Sequence, residues 1–525
     1  MSRKKLLLVY PQFPLSYWGF QYSLRLLGRK TMHPPLGLIT VAALCPKDWE
    51  VRLVDLNIES LSDEEILWSD LVFLGAMAVQ KESLLETLDR CRALGRTSVV
   101  GGPMASGCPE RVEGKADVLV LDEAELTLAE FLKDDEAGEP KKMYRNEDKP
   151  DITTSPLPRY DLLKLNAYSV IDVQYSRGCP FNCEFCDIIE LYGRVPRTKT
   201  PEQILIEFDF LYNLGYRGPI FLVDDNFIGN KKNVRELLPQ IAKWQEEHAY
   251  PYFLITEASV NLADDDEFLT NMRLAGFKRV FLGIETPSME SLKETQKFQN
   301  TKRDLAESVM HIVDSGLEVS GGFIVGFDND QSDIFERQIA FIEQAEIPWA
   351  MVGTLTAIPG TQLWRRLEKE GRLHGLTDEK HNQFGRANFN TVMESNELYR
   401  GFLGILNHLY QPDAYYSRVL AVFDRHHAAN HPNLHKAGYP IFKIGLLALV
   451  SSVVLGLKAP YRRSFWKYIT TVVQRYPKYF AQALIHAIIG HHFIKYTAEI
   501  IAKEGVDLSG PPVAKVSQLT LAGNA

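Results

Sequence analysis

Three cysteines in one short segment, Cys179, Cys183 and Cys186, constrain this chain more than any other feature. They follow a predicted strand in Tyr175-Ser-Arg-Gly-Cys-Pro-Phe-Asn-Cys-Glu-Phe-Cys186, with the spacing CxxxCxxC. Three thiolates can bind three irons of a [4Fe-4S] cube and leave the fourth iron for a substrate or cofactor, whereas electron-transfer clusters usually have four cysteine ligands. A structural zinc site normally needs a fourth Cys or His at short spacing, and none follows before His248. The segment therefore predicts a catalytic iron-sulfur cluster with these three cysteines as its ligands.

The composition predicts a folded protein of several domains. The chain has 525 residues, 45% of them hydrophobic and 24% charged, which is enough for roughly two to four domains. Its net charge of −9 gives no reason to expect nucleic acid as a partner. The cysteines outside the cluster motif are scattered and do not resemble a disulfide framework, so a reducing cytoplasm is the expected location.

The amino terminus is basic and then apolar, but its apolar run ends at Pro11. That run is too short for a signal peptide and is interpreted as a first buried strand. The chain contains no run of apolar residues long enough for a membrane-spanning helix, so none is expected.

Residues 1–140 alternate short apolar runs with helical stretches, which predicts a parallel, doubly wound sheet. No GxGxxG follows the first strand, so a dinucleotide site is weakly supported. Small residues gather at two strand ends, at Gly75 and at Gly101-Gly102, and they would let a large flat ligand approach the backbone. The predicted strands are Lys5–Tyr10, Glu50–Asp55, Leu71–Ala76, Thr97–Gly101 and Val118–Leu121, with helices at Leu36–Leu44 and Lys81–Leu94.

A polar segment with several prolines, residues 141–166, is predicted to be an interdomain linker. Residues 167–370 then contain six repeats of strand and helix, which predict a partial (β/α)6 barrel with active groups at the carboxyl ends of its strands. The predicted strands are Val170–Ser176, Ile220–Asp224, Tyr252–Glu257, Arg279–Ile284, Glu318–Val325 and Met351–Ala357.

The CxxxCxxC motif, with an aromatic residue before its last cysteine, resembles the radical S-adenosylmethionine (SAM) family. The resemblance implies that the open iron chelates SAM and that an electron, from a donor such as flavodoxin or ferredoxin, cleaves SAM to a 5′-deoxyadenosyl radical. It also implies SAM-binding roles at the strand ends, for residues Asp224, Asp225, Asn226, Glu257, Glu285, Gly322 and Gly326, with the two glycines near adenine. The segment Ile358-Pro-Gly-Thr361, after the sixth predicted strand, also matches the family.

One of these assignments has an alternative, and another depends on burial. The aspartate pair, Asp224 and Asp225, could instead cap the helix that begins near Lys231. A buried carboxylate at a strand end, as expected for Glu257 and Glu285, needs a partner, which the ribose hydroxyls or amino group of SAM would supply.

Residues 1–140 resemble the cobalamin-binding domain that precedes the barrel in one branch of this family. The similar features include Pro34-Pro-Leu-Gly37, Gly101-Gly-Pro103 and Asp122-Glu-Ala-Glu125. In the last segment, which commonly reads Gly-Glu-Gly-Glu, Asp122 and Ala124 replace the glycines. No histidine lies near Asp55, so cobalamin is expected to bind without a protein imidazole. The alternative is a Rossmann-like domain that binds no ligand.

Residues 371–525 are predicted to be mostly helical, and their composition is aromatic and basic. Residues 436–503 contain 10 Lys or Arg against one acidic residue. Such a mixture is typical of peripheral membrane surfaces, here on the inner face of the membrane, but also of an ordinary helical domain with a solvated basic face. His486, His491 and His492 have no Cys or carboxylate at metal-ligand spacing and are expected at the surface.

The three-part layout resembles hopanoid methylases that act at carbon 2 of the polycyclic lipid. The likeness is closest in Cys183-Glu-Phe-Cys-Asp-Ile-Ile-Glu-Leu-Tyr-Gly-Arg194 and in Val223-Asp-Asp-Asn-Phe-Ile-Gly-Asn230. It implies a methyltransferase that uses a 5′-deoxyadenosyl radical and methylcobalamin on an unactivated carbon. Two alternatives stay open: a cobalamin-dependent cyclase or methylase acting on a tetrapyrrole or other natural product, and a non-catalytic iron-sulfur and cobalamin sensor.

The cysteine motif yields a direct test. Protein reconstituted without oxygen should carry about four irons per chain, and Cys183→Ala should lose both the cluster and SAM cleavage. Iron analysis and release of 5′-deoxyadenosine measure the two properties. Stoichiometric zinc without iron uptake would contradict the assignment.

Overall fold

The computed structural model describes residues 3–374, 385–429 and 441–505. These residues divide into two compact units. The first unit comprises residues 3–281 and 358–366, and the second comprises residues 282–357, 367–374, 385–429 and 441–505.

The first unit begins with a six-stranded parallel sheet of order β2-β1-β3-β4-β5-β6. The strand between β2 and β3 is fully buried from Leu6 to Val9, as expected for a sheet covered on both faces. The strands are β1 Lys5–Tyr10, β2 Glu50–Asp55, β3 Leu71–Gly75, β4 Thr97–Gly101, β5 Val118–Val120 and β6 Met143–Tyr144. The doubly wound sheet predicted from the apolar runs is therefore confirmed.

Helices connect these strands and bury their apolar sides against the two faces of the sheet. A capping box at Ser62, whose hydroxyl accepts from Glu65 N, begins the third helix. The helices are α1 Gln21–Leu26, α2 Leu36–Leu44, α3 Asp63–Trp68, α4 Lys81–Ala93, α5 Pro103–Gly107 and α6 Ala124–Ala137.

The segment predicted as a linker, residues 141–166, contributes to the packed structure of the first unit. Its strand β6 extends the first sheet, and Tyr144 is buried. Tyr160 is also buried, and its hydroxyl donates to Glu207 Oε2 at 2.7 Å and to Asp172 O at 3.0 Å. These tyrosines provide the apolar surface that the polar composition of the segment conceals.

The second sheet has the order β14-β13-β12-β11-β10-β7. Along the chain, a separate short antiparallel pair, β8 and β9, lies between β7 and β10. The strands are β7 Ile171–Val173, β8 Ser176–Arg177, β9 Arg197–Thr198, β10 Pro219–Leu222, β11 Phe253–Ala258, β12 Phe277–Glu285, β13 Glu318–Val325 and β14 Trp349–Thr354. All six predicted strands of the partial barrel are present, each within a few residues of its predicted ends.

Several of the helices that alternate with these strands begin at recognisable caps. Thr200 and Gln203 form a capping box with Pro201 at the first helical position, and Asn230 caps the next long helix. The helices are α7 Ile188–Leu191, α8 Pro201–Asn213, α9 Lys231–Glu247, α10 Asp266–Leu274, α11 Met289–Glu294, α12 Leu305–Asp314, α13 Ile334–Gln344 and α14 Gln362–Lys369.

The end of the second unit is helical, as predicted for the region that begins at residue 371. A π-helical turn, Ser452–Lys458, follows the third of its helices. The helices are α15 Ser395–Leu409, α16 Pro412–Ala429, α17 Ile441–Ser451, α18 Arg462–Arg475 and α19 Phe480–Glu504. None of the described helices has both the length and the apolar character needed to cross a bilayer. Parts of this predicted domain, residues 375–384, 430–440 and 506–525, lie outside the described residues.

The expected surface position of three histidines is wrong for two of them. His486 and His492 are buried in α19, and His486 Nε2 lies 3.3 Å from Glu318 Oε1. His491 is half-buried beside the Tyr461 hydroxyl, and burial lowers the pKa of its imidazole to about 4. The sequence spacing of these residues did not reveal that α19 packs with most of its surface covered.

Candidate active site

The three cysteines lie in a loop that begins at β8 and returns at β9. Its first turn requires Gly178, which has φ +93, and a Cβ at that position would lie 2.9 Å from the carbonyl oxygen of Gly193. Cys179 N donates to the same oxygen at 3.2 Å, and Cys186 N donates to Cys183 O at 3.1 Å. Cys183 is buried, whereas Cys179 and Cys186 are half-buried. The loop thus folds back on itself, and its two ends are joined by a hydrogen bond next to the first cysteine.

The cysteine side chains do not form a single-ion site. Within residues 3–374, 385–429 and 441–505, no three His, Cys, Asp or Glu side chains converge as the ligands of one metal ion would. The thiolates of a [4Fe-4S] cube each bind a different iron, so a cube does not need such convergence. The donor set of three cysteine sulfurs fits that cluster.

Two predicted SAM ligands, Asp224 and Asp225, brace the backbone of this loop. Asp224 Oδ1 accepts hydrogen bonds from Tyr175 N at 2.8 Å and Ser176 N at 2.7 Å, and Asp225 Oδ2 accepts from Gly178 N at 2.8 Å. Burial, which outweighs these bonds, raises the pKa of Asp224 to about 7 and that of Asp225 to about 6. The helix-cap alternative is wrong, because α9 is capped by Asn230.

One carboxylate oxygen at this strand end has no donor. Asp224 Oδ2 is buried and accepts no hydrogen bond from the described residues. A buried carboxylate oxygen in this position fits an ammonium group, such as the amino group of SAM. Asn226, the third predicted residue, is held by Ser259, to whose Oγ its Nδ2 donates at 3.2 Å. The predicted roles of these residues toward SAM stay predictions.

Glu257 ends β11 beside a pair that the sequence did not reveal. Burial and the negative charge of Asp225 raise the pKa of Glu257 to about 7, although His33 acts in the opposite direction. His33 Nδ1 lies 2.9 Å from Asp172 Oδ1, and the imidazole lies against Phe221. His33 precedes the Pro34-Pro-Leu-Gly37 motif, but it lies too far along the chain from Asp172 for spacing to have indicated the pair.

A second brace, an ion-pair network that we call the arginine–glutamate clamp, consists of Arg177, Arg197, Glu123 and Glu125. Arg177 Nη1 lies 2.7 Å from Glu123 Oε2, and its Nη2 lies 2.8 Å from Glu125 Oε1. Arg197 Nη2 lies 2.7 Å from Glu123 Oε1. Although burial acts in the opposite direction, the bonds from Arg177 hold the pKa of Glu125 at about 2. All four side chains are largely buried, so the clamp ties the start of α6 to the strands that flank the cysteine loop.

The departure from glycine at Asp122 is explained by the backbone. Asp122 adopts φ +61, a left-handed conformation that aspartate tolerates better than most residues. Its N–H donates to Ser106 Oγ at 2.8 Å, and its carboxylate lies 3.3 Å from Arg145 Nε. This turn places the next residue, Glu123, in the clamp.

A third brace comes from residues that follow the last strand of the barrel. The predicted motif Ile358-Pro-Gly-Thr361 leads into α14, where Leu363 N donates to Glu184 O at 2.9 Å. Arg366 Nε donates to Glu184 Oε1 at 2.6 Å. Glu184 lies directly after Cys183, so α14 holds the loop from the side of its second cysteine.

At the carboxyl edge of the first sheet, close packing explains why glycine occupies positions 75, 101 and 102. A Cβ at Gly101 would lie 2.7 Å from Val120 O, and Gly102 has φ +85 with Ala76 N 3.3 Å from its Cβ position. A Cβ at Gly75 would contact Leu38 at 3.3 Å. Their predicted role beside cobalamin stays a prediction. The same edge exposes large apolar side chains, which the sequence pattern did not single out, at Leu15, Trp18, Met77 and Val79.

In the second unit, Glu285 ends β12 with φ +68, a strained conformation for a residue with a side chain. Its Oε1 lies 2.6 Å from Lys297 Nζ, and its carbonyl accepts from Gln338 Nε2 at 3.1 Å. Lys297 therefore supplies an opposite charge for Glu285 within the protein, and the predicted role of Glu285 toward SAM stays a prediction. Strain of this kind, of order 1–3 kcal/mol, often accompanies binding sites.

The two glycines predicted near adenine lie in and after β13. Gly326 has φ +104, and its N–H donates to Asp330 Oδ2 at 2.8 Å. Gly322 lies in β13 opposite Met351 of β14 and is half-buried. Burial raises the pKa of Asp330 to about 6. The geometry supports a tight turn at Gly326, and the adenine role of both glycines stays a prediction.

Comparison with known proteins identifies the family to which the chain belongs. Residues 173–341 match the radical SAM superfamily, and residues 361–505 match a domain of unknown function (DUF4070). The chain is 42% identical to an uncharacterized methyltransferase of Synechocystis sp., over 95% of this chain and 92% of that protein. It is 34% identical to the hopanoid C-2 methylase of Rhodopseudomonas palustris, over 95% of this chain and 94% of that protein. The chain belongs to the radical SAM methyltransferases.

The fold of this methyltransferase is shared by an enzyme of known structure. TsrM of Kitasatospora setae, a radical SAM methyltransferase solved with cobalamin and a [4Fe-4S] cluster, superposes with a TM-score of 0.60 at 13% identity, covering 95% of this chain and 100% of that chain. Membership of the superfamily makes SAM and a [4Fe-4S] cluster the cofactors of the barrel, as the cysteine motif predicted. The predicted fold class is likewise confirmed, with a doubly wound sheet, a parallel-stranded partial barrel and a helical region in that order along the chain.

The clamp predicts a large loss of stability when one partner is removed. Glu125→Gln leaves the buried Arg177 with less opposite charge, so the variant should lose roughly 3–5 kcal/mol of folding free energy. The matched control is Glu130→Gln, which breaks an exposed pair with Lys141 and should cost far less stability, because solvent screens that pair. Thermal or urea unfolding of both variants measures the difference. Equal stability of the two would contradict the role of the clamp.

The ion pair of Glu285 with Lys297 allows a test of whether Glu285 itself binds SAM. Glu285→Gln should weaken SAM binding by about 1.5–3 kcal/mol if Glu285 makes a charge-assisted hydrogen bond to SAM. The variant also leaves Lys297 unpaired, so the double variant Glu285→Gln/Lys297→Met is the control. Calorimetric SAM affinity should stay weak in both. Recovery in the double variant would assign Glu285 to the ion pair alone.

Proposed function

We propose that this chain is a cobalamin-dependent radical SAM methyltransferase that methylates an unactivated carbon of a polycyclic lipid such as a hopanoid. The observation that carries the proposal is 34% identity with a hopanoid C-2 methylase over nearly the whole length of both chains. That match includes the helical region after the barrel, whereas a resemblance confined to the cofactor-binding segments would not bear on the substrate.

The work is divided along the chain in this proposal. Residues 1–140 hold cobalamin, and residues 141–166 link them to the barrel. Residues 167–370 hold the cluster and SAM. Residues 371–525 contribute contact with the substrate or a membrane. The apolar side chains exposed at the carboxyl edge of the first sheet, where parallel α/β sheets bind ligands, suit the broad face of a corrin. No histidine lies at the end of β2, where Asn57 instead donates to Asp55 and Pro11. The protein therefore offers no imidazole at this strand end.

The residues of the first unit also provide an apolar surface for a lipid. Phe221 and Ile255 are paired in register on neighbouring strands and are half-buried, whereas Ile220 and Leu254, on the opposite face, are fully buried. Trp18 lies over Phe281 on the next strand, with ring centroids 5.2 Å apart. Aromatic and aliphatic side chains on this face would position a rigid hydrocarbon and exclude water.

The chemistry of the cofactors sets what the protein has to do. When bound, the cluster with SAM supplies a 5′-deoxyadenosyl radical and cobalamin supplies the methyl group. Cys179, Cys183 and Cys186 would hold the cluster, and Asp224 Oδ2 would accept from the amino group of SAM. The braces on the cysteine loop keep the cluster ligands in place relative to the first sheet.

We also propose two partners. A small reducing protein, such as flavodoxin or ferredoxin, would supply the electron. Contact with the inner face of a membrane through residues 436–503 would give access to the lipid; residues 436–440 of this segment lie outside the described residues.

Lipid and pigment mass spectrometry of a deletion strain tests the function. We expect a lipid one CH₂ heavier than its precursor to disappear in the deletion strain and to return with the parent gene but not with Cys183→Ala. A change confined to a tetrapyrrole pigment would favour the alternative substrate. A purified, reduced holoprotein that never releases 5′-deoxyadenosine would favour the sensor.

A further inference from the structure

An exposed apolar stripe runs along α17 and the π-helical turn after it. We define the stripe as Phe442, Leu446, Leu449, Val453 and Leu457. Their exposed fractions are 71%, 59%, 62%, 36% and 67%. Spacings of three and four residues place the side chains on one face of a helix. Large apolar side chains are normally scattered over a protein surface, so a contiguous row of five marks an interaction surface.

The stripe continues onto α18. Trp466 and Val473 of that helix are 41% and 54% exposed and lie seven residues apart, on one side of the helix. Trp466 Nε1 donates to Gly456 O at 2.9 Å, and its indole occupies the space that a side chain at Gly456 would need. The tryptophan therefore adjoins the end of the stripe, with its ring amphipathic and half in water.

Positive charge surrounds this apolar surface. Lys443, Lys458, Arg462, Arg463 and Lys467 are exposed, and within the described parts of the chain none of them forms an ion pair. No Asp or Glu occurs from residue 441 to residue 498, although the whole chain has a net charge of −9. The cations are thus concentrated beside the stripe rather than balanced by neighbouring carboxylates.

We propose that the stripe and its cations dock the protein on an anionic lipid membrane. The apolar row would enter the interface, Trp466 would lie at headgroup level, and the cations would meet the lipid phosphates. A second copy of the chain is a poorer occupant, because a symmetric contact would bring the same uncompensated cations together. The surface lies within residues 361–505, so the inference assigns a membrane role to that domain of unknown function. The inference rests on the proposed function in one respect: a lipid substrate is what the protein would reach by docking.

Flotation with lipid vesicles tests the docking of the cluster-loaded protein. The vesicles contain phosphatidylcholine alone or with about a third phosphatidylglycerol, at low and high salt. The parent should bind the anionic vesicles, less so at high salt. Two variants should each lower this binding by about tenfold or more. The first is Phe442→Ser/Leu446→Ser/Leu449→Ser/Leu457→Ser, and the second is Lys458→Gln/Arg462→Gln/Arg463→Gln/Lys467→Gln.

Matched controls change exposed residues outside α17, the π-helical turn and α18. The apolar control is Leu67→Ser/Val195→Ser/Ile206→Ser/Val392→Ser, and the charge control is Lys47→Gln/Lys232→Gln/Lys243→Gln/Lys369→Gln. Both should bind vesicles as the parent does. Comparison with Trp466→Phe should assign a blue shift in fluorescence on binding to Trp466.

Release of 5′-deoxyadenosine in detergent separates this inference from the function. Both stripe and cation variants should keep it, and should lose turnover only of substrate embedded in vesicles. A parent that ignores anionic vesicles would overturn the docking even if it methylates a lipid in detergent. So would variants that bind as well as the parent, or a parent dimer that the stripe variant abolishes without any vesicle binding. Vesicle binding by a parent without methylation activity would support the docking and contradict the function instead.

Discussion

The position of the cysteine loop depends on buried charge that is brought to it from three separate parts of the chain. Asp224 and Asp225 hold its incoming backbone, the arginine–glutamate clamp holds the strands on either side, and Arg366 holds Glu184 inside the loop. Each buried charge costs desolvation energy, which the raised pKa values of the aspartates reflect. Networks of this kind contribute little net stability compared with apolar packing, but they leave one allowed arrangement. The part of the loop that carries the cysteines, residues 178–186, has no helix or strand, so it needs that restriction if three thiolates are to bind one cluster.

The sequence predicted the elements well and their cross-connections poorly, for a physical reason. Buried strands such as Lys5–Tyr10 and Glu318–Val325 are local apolar runs, and helix starts such as Pro201 carry local capping signals. The clamp joins Glu123 to Arg177, and His33 joins Asp172, across long stretches of chain that no local pattern links. The positions of the cysteine motif were found because only thiolates at this spacing can bind the cluster. Lys297 was missed because a lysine twelve residues beyond a strand end cannot be distinguished in the sequence from a solvated lysine.

Two of the residues with a left-handed backbone lie at strand ends that carry predicted functional residues. Asp122 and Glu285 both have positive φ, and each lies where a strand ends, with its carboxylate paired to a basic side chain. Only a few residues other than glycine adopt this conformation among the described parts of the chain. The surrounding contacts must stabilise it, since the unfolded chain would not populate it. Glu123 follows one of these turns directly, which shows how a local strain can aim the next side chain at a distant partner.

The surface that we propose to dock on a membrane is basic, whereas the chain as a whole has a net charge of −9. An acidic protein is repelled by an anionic bilayer, and a surface of uncompensated cations is the part that can approach it. Attraction through one surface and repulsion elsewhere would orient the protein as well as bind it, and salt would weaken both effects. The apolar stripe adds a contribution that salt does not screen, because it comes from the removal of hydrocarbon from water. The two contributions act on neighbouring residues of α17 and α18, so orientation and insertion would be set by the same short segment.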